Sequence, residues 1–185
     1  MGLESYIFKT TKQGAIEKKK QILTARNNAK SKGVNCGGMV LFINDAARNY
    51  IQAAHPDIWW YKRNHITAWI SERVFRNPKG DIQKYIGTLT RCDLLNLRED
   101  CRKVLEHCVL PNGKLNIDEV YCKQIFPQFN LPLSGNSLYD QYFIEEIRDS
   151  MNDIDVLLGS SNYPCPTMGR ATEIEYVFIK ENFLL

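Results

Sequence analysis

The chain has 185 residues, of which 44% are apolar and 24% charged, the composition of a globular protein with a hydrophobic core of its own. It contains no run that approaches the roughly 18 apolar residues of a membrane-spanning helix, and its first residues lack the pattern of a secretory signal. We therefore expect a single domain over residues 1–185 that lies in the cytoplasm and has no membrane partner.

The net charge of +3 is unevenly distributed along the chain. Residues 1–33 carry eight Lys and Arg against two Glu, a net charge of +6, whereas the rest of the chain carries a net charge of −3. Such a basic segment can contact an anionic partner, but it does not require one. The candidate residues for this contact are Lys18, Lys19, Lys20, Arg26 and Lys30.

The six cysteines show neither a C-x-x-C motif nor the spacing of a metal site. His107 and Cys108 are neighbours, but adjacent residues of a helix point in different directions, so the two make a poor ligand pair. We expect no metal and no cofactor, and we interpret the cysteines as buried apolar thiols in a reducing compartment. They are Cys36, Cys92, Cys101, Cys108, Cys122 and Cys165.

The N-terminal part of the chain predicts a strand followed by a basic helix. Residues 3–9 are rich in aromatic and β-branched side chains, as strands are. Residues 11–31 predict a helix with a thin apolar stripe, formed by Ile16, Ile22 and Leu23. Its other side chains form a solvated face or, in a sharper interpretation, a cationic face for nucleic acid or an acidic protein.

Residues 58–70 hold all three tryptophans and predict a strand that runs into a helix, with a polar corner over residues 62–65. Trp59 and Trp60 are adjacent on the strand and point to opposite sides of the sheet. One of them belongs to the core. The other is either covered by a helix, which the composition favours, or exposed as a binding anchor, and Trp59 is our candidate for that anchor.

The remaining segments predict three further strands and four helices. Strands are expected at residues 39–43 and 84–89 and again at residues 173–179, and Thr90 with Asp93 predicts the capping box of a helix. Further helices are expected over residues 44–54, 115–125 and 138–158. The helix after Thr90 has the clearest apolar face, formed by Leu94, Leu97, Cys101, Val104, Leu105 and Cys108.

Strands and helices are interspersed without strict alternation, which favours the α+β class. We predict a small, mostly antiparallel sheet packed against two or three long helices, with the first and last strands as neighbours. The basic helix at about residues 11–33 is predicted to be an insertion into this domain.

Three patches of the sequence resemble, in the same order, a family of small bacteriophage and prophage proteins. Members begin M-G-L-D-M-Y-L, where this chain reads M-G-L-E-S-Y-I, and they carry Y-W-R-K-x-N-x-I-H-x-W-F, where residues 59–70 read W-W-Y-K-R-N-H-I-T-A-W-I. They also carry G-S-x-x-Y-D-x-x-Y, which residues 135–143 match in part. The family's arginine falls on Tyr61 and its histidine on Thr67, so two polar members of the pattern are missing here.

The resemblance implies a phage accessory protein that binds rather than catalyses, and we assign no catalytic residues. Because phages use many small proteins against host defence, the leading hypothesis is an anti-CRISPR-like inhibitor of a host nuclease or nucleoprotein complex in a bacterial cytoplasm. Weak, sequence-independent contact with nucleic acid through the basic helix is a further expectation.

The alternative hypothesis is a small pocket protein that binds or cleaves a nucleotide or another anionic ligand. A structural interpretation competes with it, in which Asn64 caps a helix and Tyr139 with Asp140 begins the last one. The candidate ligand-binding residues are Lys62, Asn64, His65, Tyr139 and Asp140.

Overall fold

The computed structural model describes residues 4–30, 34–36, 39–41, 51–61, 63–75, 86–126, 139–159 and 174–181. Predictions that concern Lys62, the loops around residues 77–80 and 127–134 or most of residues 44–54 lie outside these ranges. The chain divides into two compact units. The first contains Met1–Lys62, Lys84–Thr88 and Arg170–Leu185, and the second contains Arg63–Gln83 and Leu89–Gly169. The single domain expected from the sequence stays a prediction.

The first unit is built on a four-stranded sheet in the order β4-β1-β6-β5. Strand β1 runs antiparallel to both of its neighbours, β4 and β6, so the predicted pairing of the first and last strands is confirmed. A separate antiparallel pair joins β2 and β3. The strands are β1 (Glu4–Thr11), β2 (Val34–Cys36), β3 (Met39–Leu41), β4 (Ile58–Tyr61), β5 (Ile86–Leu89) and β6 (Ile174–Glu181).

The basic helix α1 (Lys12–Lys30) packs on one face of this sheet through Ala15 and Ile22. The predicted stripe is wrong in two of its three members, because Ile16 and Leu23 are exposed. Between the two packed residues, Lys18 and Lys19 are partly buried and contact Phe8 and Thr88 of the sheet, so the helix needs fewer apolar side chains than the pattern assumes. Among the described residues, one core cluster of this unit contains Tyr6, Phe8, Ala15, Ile22, Ile51, Val177 and Ile179.

The second unit is helical in its described part. Helix α2 (Asn64–Trp69) continues directly into a π-helical turn (Ile70–Val74). Helix α3 (Arg91–Cys108) packs along α5 (Gln141–Leu158), and the short α4 (Glu119–Ile125) lies against the end of α3.

The helix boundaries of this unit follow the sequence signals. The predicted capping box between Thr90 and Asp93 is present, and Gly159 ends α5 in the left-handed conformation that glycine adopts easily. The apolar face of α3 is buried as predicted, with Leu105 only half-buried. The α+β class is confirmed, and no helix within the described ranges is long and apolar enough to cross a membrane.

The cysteines only partly follow the expectation of buried free thiols. Cys101, Cys108 and Cys122 are free and fully buried. Cys92 is instead disulfide-bonded, so the prediction is wrong for this residue. A thiol pattern without C-x-x-C spacing does not reveal such long-range pairing, because connectivity is set by the fold.

Candidate functional site

The polar corner of the sequence lies at the N-terminus of α2, where the cap comes from another helix. Arg63 is the N-cap residue and makes no capping bond with its side chain, so the prediction that Asn64 is the cap is wrong. Glu146 of α5 takes this role, since its Oε1 accepts the N–H groups of His65 (3.0 Å) and Ile66 (3.2 Å). A carboxylate at this position satisfies backbone donors and complements the positive end of the helix dipole.

His65 binds the same carboxylate through its ring. Its Nδ1 lies 3.0 Å from Oε2 of Glu146, and the residue is only 5% exposed. The ring contacts Tyr139 at 5.1 Å and the edge of Phe143 at 4.7 Å between centroids. The imidazole therefore contacts three side chains of the second unit, those of Glu146, Tyr139 and Phe143.

The two candidate residues before α5 also have structural roles. The Tyr139 hydroxyl donates to the carbonyl of Phe126 at 2.7 Å, and burial raises the pKa of Tyr139 to about 12. Asp140 caps α5, because its Oδ1 accepts the N–H groups of Tyr142 and Phe143. Both observations agree with the structural interpretation of this pair.

Of the five candidate ligand-binding residues, the structure places four in the second unit and brings two into ring contact. Lys62 lies outside the described residues. Asn64 Oδ1 and His65 Nε2 are buried and have no hydrogen-bond partner among the described groups. The buried group that contacts His65 is the carboxyl of Glu146, which accepts hydrogen bonds and offers no donor to an anion. The described geometry thus supports a helix anchor, and the anionic-ligand pocket stays a prediction.

Sequence reasoning missed Glu146, although the sequence contained a signal. Residues 141–158 contain five acidic side chains, and composition alone does not distinguish Glu146 from the other four. Its spacing from Phe143, Ile147 and Ser150, all buried, places it instead on the apolar face of α5. A charged residue on such a face needs a buried partner, and that requirement could have identified it.

A second buried carboxylate, Asp100 of α3, joins the π-helical turn to α3. It accepts bonds from the indole of Trp69, from Arg73 and from Lys103, each at 3.0 Å. Arg73 also donates to the carbonyls at the end of α4. These residues line a cavity of about 300 Å³. Because Asp100 and both cations already bind one another, we assign this cavity no ligand.

The basic helix offers fewer free cations than its composition indicates. Lys18 Nζ lies 4.0 Å from the centroid of the Phe8 ring, and burial lowers the pKa of this lysine, although Asp57 partly opposes the shift. Lys19 donates to the hydroxyl of Thr88. Lys20 is exposed, whereas the side chains of Arg26 and Lys30 lie outside the described set. Two of the five candidate cations therefore bind within their own unit.

Among the described residues of the first unit, the exposed aromatic side chains lie on strand β4. Trp60 is buried, whereas Trp59 and Tyr61 are 54% and 55% exposed on the opposite face; we call these two residues the aromatic face. The favoured expectation that both tryptophans are covered is wrong. Trp59 stacks on Tyr6 at 6.2 Å between centroids, and the Tyr6 hydroxyl donates to the buried carboxylate of Glu4.

No group of three or more His, Cys, Asp or Glu side chains that could hold a metal ion occurs among the described residues. Comparisons with known proteins gave no match, whether with protein-family models, with curated proteins or with solved structures.

Proposed function

We propose that this chain is a non-enzymatic binding protein that contacts a protein partner through the aromatic face of β4. The observation that carries the proposal is the exposure of Trp59 and Tyr61, two large rings at alternate positions of one strand. Exposed aromatic pairs are uncommon on surfaces that only meet water, and Trp and Tyr dominate the energetics of protein interfaces.

The surroundings of Trp59 also suit a contact residue. Its ring is stacked against Tyr6, a buried residue of β1 whose hydroxyl is itself bonded to Glu4. The indole therefore already lies against another aromatic ring before a partner binds. Less side-chain entropy is lost on binding when an anchor is already ordered, which favours affinity.

A protein surface is favoured over nucleic acid as the partner. A phosphate-binding helix needs cations that face solvent, but Lys18 and Lys19 are occupied within the first unit. The resemblance to phage proteins suggests the class of target: a host protein or nucleoprotein complex, with a defence nuclease of the CRISPR type as the leading example. This target assignment rests on the resemblance alone, and the binding surface does not depend on it.

The proposal is tested by affinity capture from nuclease-treated bacterial lysate, with the purified wild-type protein, Trp59→Ala and Tyr61→Ala as baits. We expect a specific host protein to be retained by the wild type. Truncation of a hot-spot tryptophan costs about 2 kcal/mol or more, so Trp59→Ala should weaken the Kd roughly 30-fold, as measured by calorimetry with the recovered partner.

The matched control is Tyr142→Ala. Tyr142 is 76% exposed on α5, so its truncation removes a ring of the same size as that of Tyr61 from a different surface. It should leave capture unchanged, and circular dichroism should show that all variants are folded. If the wild type and the Trp59→Ala, Tyr61→Ala double variant retain the same partner, the aromatic face is not the binding surface.

A further inference from the structure

Two buried thiols of the second unit lie in direct contact. Cys108, the last residue of α3, and Cys122, in the middle of α4, have their Sγ atoms 3.5 Å apart. Both residues are fully buried and neither is part of a disulfide. A disulfide bond has an S–S length near 2.05 Å, so the two sulfurs need to approach by about 1.5 Å to be joined.

Neighbouring contacts join the end of α3 to α4 and close the segment between the two helices. The neighbouring residues His107 and Tyr121 stack with ring centroids 4.0 Å apart. The chain between the helices is closed by a bridge from Val109 to Leu115, and the carbonyl of Cys108 accepts the N–H of Asn116 at 2.8 Å. These contacts keep the two sulfurs close to each other in the reduced protein.

We propose that Cys108 and Cys122 form an oxidative modification site. A low-molecular-weight disulfide such as oxidised glutathione oxidises the two thiols to a Cys108–Cys122 disulfide, which joins α3 covalently to α4. One cysteine loses its proton and attacks the oxidant, which forms a mixed disulfide and releases one glutathione thiol. The second cysteine, once deprotonated, attacks the mixed disulfide at the protein sulfur and releases the second glutathione. Two protein thiols are oxidised and one oxidant disulfide is reduced to two thiols.

The burial of both thiols sets the rate of this reaction. Burial raises the pKa of the Cys122 thiol, which makes its reactive thiolate scarce in the closed structure. The reaction therefore requires brief local opening of α4, and we expect it to be slow in the native protein and faster under mild denaturant. Once formed, the bond is shielded from reductants by the same burial.

The crosslink would constrain α4, whose C-terminal carbonyls accept hydrogen bonds from other parts of the second unit. The carbonyls of Gln124 and Ile125 bind Arg73, and the carbonyl of Phe126 binds Tyr139. A bond at Cys122 limits the opening of all of these contacts because it constrains the helix that carries them. This inference concerns the second unit and is independent of the aromatic face.

The test is peptide mapping by mass spectrometry after incubation of the full chain with oxidised glutathione and alkylation of the remaining thiols. We expect a crosslinked peptide pair, lighter by two hydrogen atoms, that contains Cys108 and Cys122 and is lost on reduction with dithiothreitol. Amide hydrogen exchange over residues 119–126 should slow by roughly tenfold or more in the oxidised protein, because closing a short loop penalises the open state.

Cys101 provides the matched control, since it is also a free, fully buried cysteine of α3. Cys101→Ser should still form the crosslink, whereas Cys122→Ser should not. Mapping of the wild type decides the question even where a variant folds poorly. If Cys108 and Cys122 both remain alkylatable after oxidation in mild denaturant, or pair with other cysteines instead, the proposal is wrong.

Discussion

The second unit contains two pairs of histidine and carboxylate with the same chemistry in opposite surroundings. His65 and Glu146 lie 3.0 Å apart with side chains that are 7% and 9% exposed. His107 and Asp118 lie 3.3 Å apart with side chains that are 44% and 47% exposed. In both pairs the carboxylate also accepts a backbone N–H at the start of a helix, and the imidazole lies against an aromatic ring.

The difference between the pairs lies in what happens when one partner is removed. Water can replace either member of the exposed pair, so that pair contributes little to stability. Water cannot reach the buried pair as easily, and removal of one partner leaves donors or a charge without compensation. The polar residues around His65 therefore indicate a stabilising contact between α2 and α5 rather than a catalytic site.

The largest effect is expected from Glu146→Ala. This change leaves the N–H groups of His65 and Ile66 and the His65 ring without their acceptor in a buried place, and we expect a loss of about 3 kcal/mol or more in the free energy of unfolding. Urea denaturation followed by circular dichroism measures this loss.

Two variants separate the charge of Glu146 from its position. Glu146→Gln keeps an acceptor oxygen for the backbone donors and should cost about 1 kcal/mol, well below the alanine variant. Glu145→Ala removes the adjacent carboxylate, whose described bond is to Gln141 on the same helix, and should change stability by no more than about 0.5 kcal/mol. Equal losses for Glu145→Ala and Glu146→Ala would contradict the role given to the buried pair.

A smaller effect is expected from Tyr139→Phe. The carbonyl of Phe126 loses its described side-chain donor, which costs about 1 kcal/mol. The effect should also depend on pH. The folded pKa is raised to about 12 from an ordinary value near 10, so the unfolded chain ionises first and stability falls as pH rises through this range.

Chemical denaturation between pH 7 and pH 11 tests this dependence. The wild type should lose part of its stability above about pH 10, and the phenylalanine variant should lose less over the same interval. Tyr142→Phe is the control, because Tyr142 is exposed and no described hydrogen bond involves its hydroxyl. If the stability of the wild type and that of the Tyr139→Phe variant fell in parallel at alkaline pH, folding would not raise the pKa of Tyr139.

Much of the fold could be predicted from local signals in the sequence. The capping box at Thr90, the apolar period of α3 and the strand predicted at residues 173–179 each depend on residues within one element, and each is confirmed. The face of α1 could not be predicted in this way. Lys18 and Lys19 are charged, yet both are partly buried and contact Phe8 and Thr88 of the sheet, whereas Ile16 is exposed.

The candidate site was harder to predict because its decisive contacts join distant parts of the chain. His65 and Glu146 are separated by 81 positions, and no local pattern connects them. Trp59 illustrates the same limit, since alternation places it opposite Trp60 but cannot tell whether anything covers it. The local sequence therefore shows which side of a strand a residue faces, but burial also depends on which element packs against that side.

The smallest effect on stability is expected from His107→Gln at the exposed pair. The N–H of Tyr121 and then the His107 ring hold the pKa of Asp118 below its usual value. The stability that this carboxylate contributes is therefore present above about pH 4 and is lost as pH falls through its lowered folded pKa. Because the Tyr121 N–H remains in the variant, the unfolding midpoint at pH 7 should stay within experimental error, with only a slight shift in the acid limb. His65→Gln, measured in parallel, should lower the midpoint clearly. If the two histidine variants were equally mild, burial would not be what distinguishes the pairs.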